Sequence, residues 1–218
     1  MPASLKTVVK ACLLAVVVMA PPSGGADTLL FYNEPMSPEG GRPLHQSLLG
    51  WTFFPTTAIT ITHLGLFDDY SDGFDIAHPI GLFRLDDGAE LASGVVSAGL
   101  VDPLVDEFRY VDVPDVTLVS GVEYVLSYYT NDPEGISYDY QAFPLGLGVG
   151  HDPAIALGYS RVQSGAPGLG IPSIQTFQGA YFVGPNALFT VVPIPGAVWM
   201  FASALATIGI ARRRRSRL

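Results

Sequence analysis

From Gly50 to Tyr129 the apolar runs are short, roughly five to ten residues each, and glycine, proline or aspartate closes them. "GWTFFP" is followed by "TAITITHLGLF", then by "HPIGLFRL" and the turn Asp86-Asp87-Gly88. "AELASGVVSAG", "DEFRYVDV" and "VEYVLSYYT" come next. No apolar pattern of period 3.6 persists across these breaks, so long helices are excluded from the middle of the chain. Short β-branched and aromatic runs at such spacing point to an all-β fold, an antiparallel β-sandwich of jelly-roll-like type. In "VEYVLSYYT" strict alternation puts Tyr124, Leu126 and Tyr128 on one face and Val125, Ser127 and Tyr129 on the other. The alternation slips in "ITITHLGLF", where Ile59 and Ile61 give way to Leu64 and Leu66, and a β-bulge near His63 is expected.

Two stretches do not fit a sandwich. Met1–Lys10 carries Lys6 and Lys10 and leads into "ACLLAVVVMA" and then "PPSGGADT". A basic start, an apolar run and a small-residue exit are the three parts of a secretory signal peptide, here with cleavage after Ala26. The partners this implies are the Sec translocon and a signal peptidase. Cys12 stands at the start of the apolar run, the wrong place for a lipid anchor. It is the chain's one cysteine, so a mature protein lacking the leader has no disulfide, thiolate metal site or cysteine nucleophile.

At the other end, "GAVWMFASALATIGIA" (196–211) holds no charge and is followed by Arg212, Arg213, Arg214, Arg215 and Arg217. As a transmembrane helix its roughly 16 residues span about 24 Å, short for a bilayer but extended by snorkelling arginines. Lysines before the first apolar run and arginines after the second place both flanks on the cytoplasmic side and the intervening body outside. Three segments follow: a signal helix over 1–26, an extracytoplasmic domain over 27–192 and a terminal signal over 193–218.

The body is acidic. Four arginines (Arg42, Arg84, Arg109, Arg161) stand against all twenty acids of the chain, a net charge of −16 over 27–192. Such a surface repels a phosphate backbone, which excludes nucleic-acid binding.

The ending "VPIPGAVWMFASALATIGIARRRR" resembles the PEP-CTERM sorting signal of exported bacterial proteins, in the variant with an apolar residue between the prolines. Pro193, Ile194 and Pro195, the early Trp199 and Arg212–Arg215 carry the resemblance, which covers roughly the last 25 residues. It implies an exosortase as partner, with cleavage near Pro193-Ile194-Pro195, and a route from the inner membrane to the cell surface or the extracellular matrix. The residues alone support part of this. Pro193 and Pro195 keep the chain extended and out of the helix, and the arginines act as a stop-transfer signal.

The middle of the chain also resembles uncharacterised bacterial extracellular β-sandwich modules. "GWTF" (50–53), "ITITHLGLFD" (59–68), "DGFDIAHPIGLF" (72–83), "FRYVDV" (108–113) and "VTLVSGVEYVL" (116–126) carry it. That resemblance implies a fold and an address and brings no catalytic residue.

Two groups of side chains invite chemistry. "DDYSDGFD" gathers Asp68, Asp69, Asp72 and Asp75 around Gly73, enough oxygens for a calcium loop, though Tyr70 and Pro79 stand where an EF-hand needs ligands. The alternative is a hairpin loop in water. Tyr128, Tyr129, Tyr138 and Tyr140 lie close in sequence, and such rings on an open sheet face stack on sugars. The alternative is core packing. The histidines (His45, His63, His78, His151) lack zinc spacing, and no Gly-x-Ser-x-Gly elbow is present. Glu107 and Glu123 fall in strand patterns that expose them. A glycine-rich stretch over 144–170 reads as an ordered loop or a flexible face, Val183–Asn186 as a turn, and Asn186–Val192 as the last strand. The expected role is structural or adhesive rather than enzymatic, with an exopolysaccharide-binding module as runner-up and a glycan-active hydrolase third.

Overall fold

The computed structural model describes residues 28–29, 31–33, 46–68, 71–130, 141–143, 149–176 and 181–192. All belong to one compact unit, Gly25–Val192. The leader, the Pro-x-Pro motif, Trp199, the apolar run and the arginines lie outside the described residues, as do Asp69, Tyr138 and Tyr140. Among the described residues no helix is long and apolar enough to cross a membrane.

The fold is all-β, in antiparallel sheets. One sheet has five strands: β1 (Thr28–Leu29), β15 (Pro185–Val191), β4 (Ile59–Phe67), β8 (Phe108–Leu118) and β7 (Leu104–Val105), in that order. The other has six, in the order β13 (Ile174–Gln175), β12 (Ile155–Ser164), β3 (Ser47–Pro55), β9 (Tyr124–Thr130), β5 (His78–Arg84), β6 (Glu90–Val96). Two small ribbons accompany them, β10 (Gln141–Phe143) with β14 (Tyr181–Val183), and β11 (Val149–His151) with β2 (Phe31–Asn33).

One core joins the two large sheets. Ile59, Ile61, Leu64 and Leu66 of β4 and Ala187 and Phe189 of β15 meet Leu49, Trp51 and Phe53 of β3 and Leu126 and Tyr128 of β9, all buried. Alternation along each strand delivers these side chains to the inner face, as a sandwich requires. Trp51 crosses between the sheets, and its indole N–H donates to the Pro185 carbonyl at 2.8 Å.

The bulge falls where the pattern slips. Along β4, Ile61 pairs with Phe189 and Val116, whereas His63 pairs with Leu188 and Asp112, so Thr62 is passed over on both sides. The extra residue rotates the strand and restores Leu64 and Leu66 to the core. Across from it Pro114 occupies the irregular part of β8, a position that asks for no ladder N–H.

The glycine-rich stretch departs from its expected loop character, because Ile155–Ser164 is a ten-residue strand against β3. Gly158 lies in its register shift, directly over the Thr52 hydroxyl, where no larger residue fits. Past Gly165 (φ +67°) the chain folds back over the outer face of the six-stranded sheet. The Ala166 amide donates to Gln46 O, the Ser127 hydroxyl donates to Gly170 O at 2.6 Å, and Leu169 packs on Leu48, Tyr129 and Ala166. Gly81 leaves the space that the Phe83 ring uses, and a Cβ there would also meet Leu169 Cδ2 at 3.2 Å. β9 is therefore buried on both faces along its whole length. Val183–Asn186 is not a free turn either: Gly184 O accepts the Phe67 amide, and Pro185 is already paired with Leu66.

The antiparallel pairings give the sandwich two distinct ends. At one, Ile59, Leu118 and Val191 stand side by side. At the other, β4 leaves the sheet at Phe67 beside Phe108 and passes into the aspartate-rich loop.

Candidate functional site

The aspartate-rich loop is the one place among the described residues where a buried acid meets a buried base. β4 carries the inward alternation past Leu66 to Asp68, and β8 aims Arg109, the partner of Leu66, into the same end of the core. The Asp68 side chain is 1% exposed and that of Arg109 5%. Arg109 Nε donates to Asp68 Oδ2 at 2.6 Å, Nη1 to Asp102 O at 2.9 Å and Nη2 to Ser71 O at 3.4 Å. The Gly73 amide donates to both carboxylate oxygens of Asp68, at 3.0 and 3.2 Å. Gly73 has φ +94° and packs on Gly99, so this loop and the 97–107 loop are tied through one guanidinium.

Burial pushes the Asp68 carboxyl above its ordinary value of 3.8, against the lowering pull of the Gly73 amide and the Arg109 charge. The oxygens that a calcium ion would need at Asp68 are thus taken by Arg109 and Gly73, and the arginine supplies the positive charge there. Asp72 and Asp75 lie outside this network of bonds to Asp68, and no group of three or more His, Cys, Asp or Glu side chains gathers for a metal among the described residues. The sequence shows four acids in eight residues, but nothing local reveals a counter-charge 41 positions away.

Burial corrects the sugar-stacking expectation at two of the four tyrosines, Tyr128 and Tyr129. Tyr128 is 0% and Tyr129 7% exposed. Tyr128 packs in the inter-sheet core, edge-on to His78, while Tyr129 sits under the folded-back 165–170 loop. Neither offers a ring face to a sugar.

The described histidines serve separate neighbourhoods. His63 is half-buried, with Nδ1 2.9 Å from the Thr62 hydroxyl and Nε2 3.9 Å from Asp112. His78 is buried between the rings of Phe74 and Tyr128. His151 places Nδ1 3.1 Å from Asp152 O. Glu107 lies in the two-residue β7–β8 turn (φ +66°) and Glu123 before β9, at opposite ends of the sandwich, so they do not face each other across a cleft.

A feature the sequence does not announce is Tyr110. Its ring lies against Gly65 on the neighbouring strand, in the space a side chain there would fill. The phenol is 2% exposed, and its hydroxyl has no hydrogen-bond partner among the described residues. Burial raises its pKa well above the ordinary 10.0, and the Asp106 charge adds to the shift. No protein-family model matches the chain, and no curated protein is significantly similar to it.

Proposed function

We propose that this chain is an exported bacterial protein whose work is structural or adhesive, at the cell surface or in the extracellular matrix. In this reading a signal helix ending at Ala26 is removed, and a jelly-roll-like sandwich over 27–192 faces outward. The 193–218 segment crosses the inner membrane until an exosortase acts near Pro193-Ile194-Pro195. The single observation that carries it is the order of unlike parts along the chain. A lysine-flanked apolar run, a body of net charge −16 without cysteine, and a Pro-x-Pro, apolar, arginine-rich ending follow one another. Basic flanks on both apolar runs agree on one topology.

The body's chemistry is in keeping with a passive role. Its buried ion pair has every strong donor directed at the protein itself, which suits a rivet better than a reaction centre. With Tyr128 and Tyr129 buried, a polysaccharide-binding role is left to Tyr138 and Tyr140.

The test is fractionation and intact mass in a host that has an exosortase. Wild-type protein is expected to lose residues 1–26 and to reach the surface fraction without its arginine tail. Changing Arg212–Arg215 to alanine should disturb membrane retention or processing. Unchanged mass and unchanged fractionation of that variant would defeat the sorting assignment.

A further inference from the structure

The two large sheets have unequal edges. β1, β7 and β13 are two residues long, whereas β6, at the remaining edge, has seven. β6 has β5 on one side and no strand on the other among the described residues. Pro79 reveals which of its backbone groups face that open side. Pro79 pairs with Val95 but has no N–H, so the ladder bonds run through the flanking pairs, His78 with Val96 and Ile80 with Gly94. Gly94 and Val96 therefore direct their N–H and C=O at β5. Ser93 and Val95 direct theirs outward, where no backbone partner meets them among the described residues.

This open stretch is closed at both ends. Leu91 is passed over between Glu90 and Ala92, a bulge that breaks the edge. The Ser97 amide donates to the Asp102 carboxylate. Four groups are left, the N–H and C=O of Ser93 and of Val95. A two-fold axis through Gly94 matches them to one another: Ser93 of each copy faces Val95 of the other, with four backbone bonds in all. The next pair in this register joins Leu91 to Ser97, the bulge to the amide already engaged, so the ladder stops where the open groups stop.

We propose that the Ser93–Val95 edge of β6 pairs with the same edge of a second copy of this chain, joining two six-stranded sheets in an isologous dimer. The occupant follows from this self-complementarity and from charge. Two bodies of net charge −16 can meet only along neutral surface, and Leu91 to Val101 holds no charged residue. With the axis at Gly94, Glu90 falls opposite Ala98 of the other copy, so no acid of the ladder meets an acid. Apolar surface lies beside the edge. Val95 is 51% exposed and would stand next to Ser93 of the other copy. β6 packs over β8 through Gly94 and Val111, which brings β7, with Leu104 and Val105 exposed, to the same side of the sandwich.

The test uses the full chain in detergent micelles, with Cys12→Ser and a single thiol at Val95→Cys, treated with a short bis-maleimide. Val119→Cys, exposed beyond the far end of β8, is the control. A covalent dimer is expected on a denaturing gel at position 95 and not at 119. Higher salt, which screens the repulsion between acidic bodies, should raise its yield. Adding Ser93→Pro to the Val95→Cys chain removes two of the four bonds and leaves the β5 ladder intact, because proline is tolerated where an edge N–H faces outward. It is expected to raise the concentration for half-maximal cross-linking about thirtyfold with an unchanged circular dichroism spectrum. No cross-link at 95, or equal cross-linking at 95 and 119 as pairing through the 196–211 run alone would give, overturns the proposal. So does a cross-link at 95 that Ser93→Pro leaves unchanged. The contrast between 95 and 119 decides even where the proline variant misfolds.

Discussion

Arg109→Met removes the positive partner of a carboxylate that has almost no access to water. In the native protein Asp68 accepts from two donors, the Gly73 amide shared between both oxygens and Arg109 Nε at 2.6 Å. In the variant only the Gly73 amide remains, and the Asp102 and Ser71 carbonyls lose their guanidinium donor. Breaking a buried pair from one side costs about 3–5 kcal/mol, most of it the penalty of an uncompensated charge. Asp68→Leu, which strands the guanidinium instead, belongs in the same range. The double variant strands neither charge. Its cost is about 1–3 kcal/mol, from the backbone groups left without partners.

Urea unfolding of residues 27–192 at pH 7 measures all three variants. Trp51 is the one tryptophan in that span, so its fluorescence reports the core directly. With a slope of about 2 kcal/mol per molar urea, a 4 kcal/mol loss moves the midpoint by about 2 M. The double variant is expected to cost at least about 3 kcal/mol less than the two singles summed. The pH dependence gives a second check. A carboxyl whose folded pKa is raised holds its proton more tightly in the folded than in the unfolded state, so stability rises as pH falls through the folded pKa toward 3.8. Without Arg109 one of the opposing pulls is gone, the folded pKa climbs further, and the Arg109→Met deficit shrinks on acidification. Single variants that each cost under 1 kcal/mol and add independently would refute the buried pair.

Three further outcomes follow. Gly65→Ala puts a methyl group into the Tyr110 ring and is expected to destabilise by about 1–3 kcal/mol in the same urea assay, while alanine at the open Gly168 costs less than 1 kcal/mol. Tyr110→Phe removes a buried hydroxyl without a partner among the described residues and should be neutral or stabilising by about 1 kcal/mol; a loss beyond that would reveal a bond to the hydroxyl. Asp87 is held at about 2 by its hydrogen bond from Arg84, so its contribution is full above 3.8 and lost as pH falls through about 2. Asp87→Asn should therefore flatten the acid limb of stability against pH in that window.

The strands and their bulge are legible because they are local: period two, its interruption at Thr62, and the turn residues around Asp87-Gly88 all lie within short windows. What is not legible depends on contacts between distant segments. Alternation correctly separates Tyr128 from Tyr129, yet it cannot say that the 165–170 segment covers the outer face and buries Tyr129 too. β12 hides among glycines that read as loop, because Gly158 is there to clear Thr52 across the ladder rather than to make a turn. Nothing within 68–75 reveals that Asp68 is bonded by Arg109, which arrives from another strand 41 positions away. Tyr110 gives no signal of its own, since its position depends on a glycine on the neighbouring strand.

The central claim is that the acidic body lies on the far side of the inner membrane, and cysteine labelling reads this directly. With Cys12→Ser the chain has no thiol, and Val101→Cys then supplies a single one at a highly exposed site. A membrane-impermeant maleimide is applied to intact spheroplasts and, in parallel, to lysed ones. Full labelling before lysis is the result this account predicts. Labelling that appears only after lysis would place the sandwich in the cytosol and contradict it.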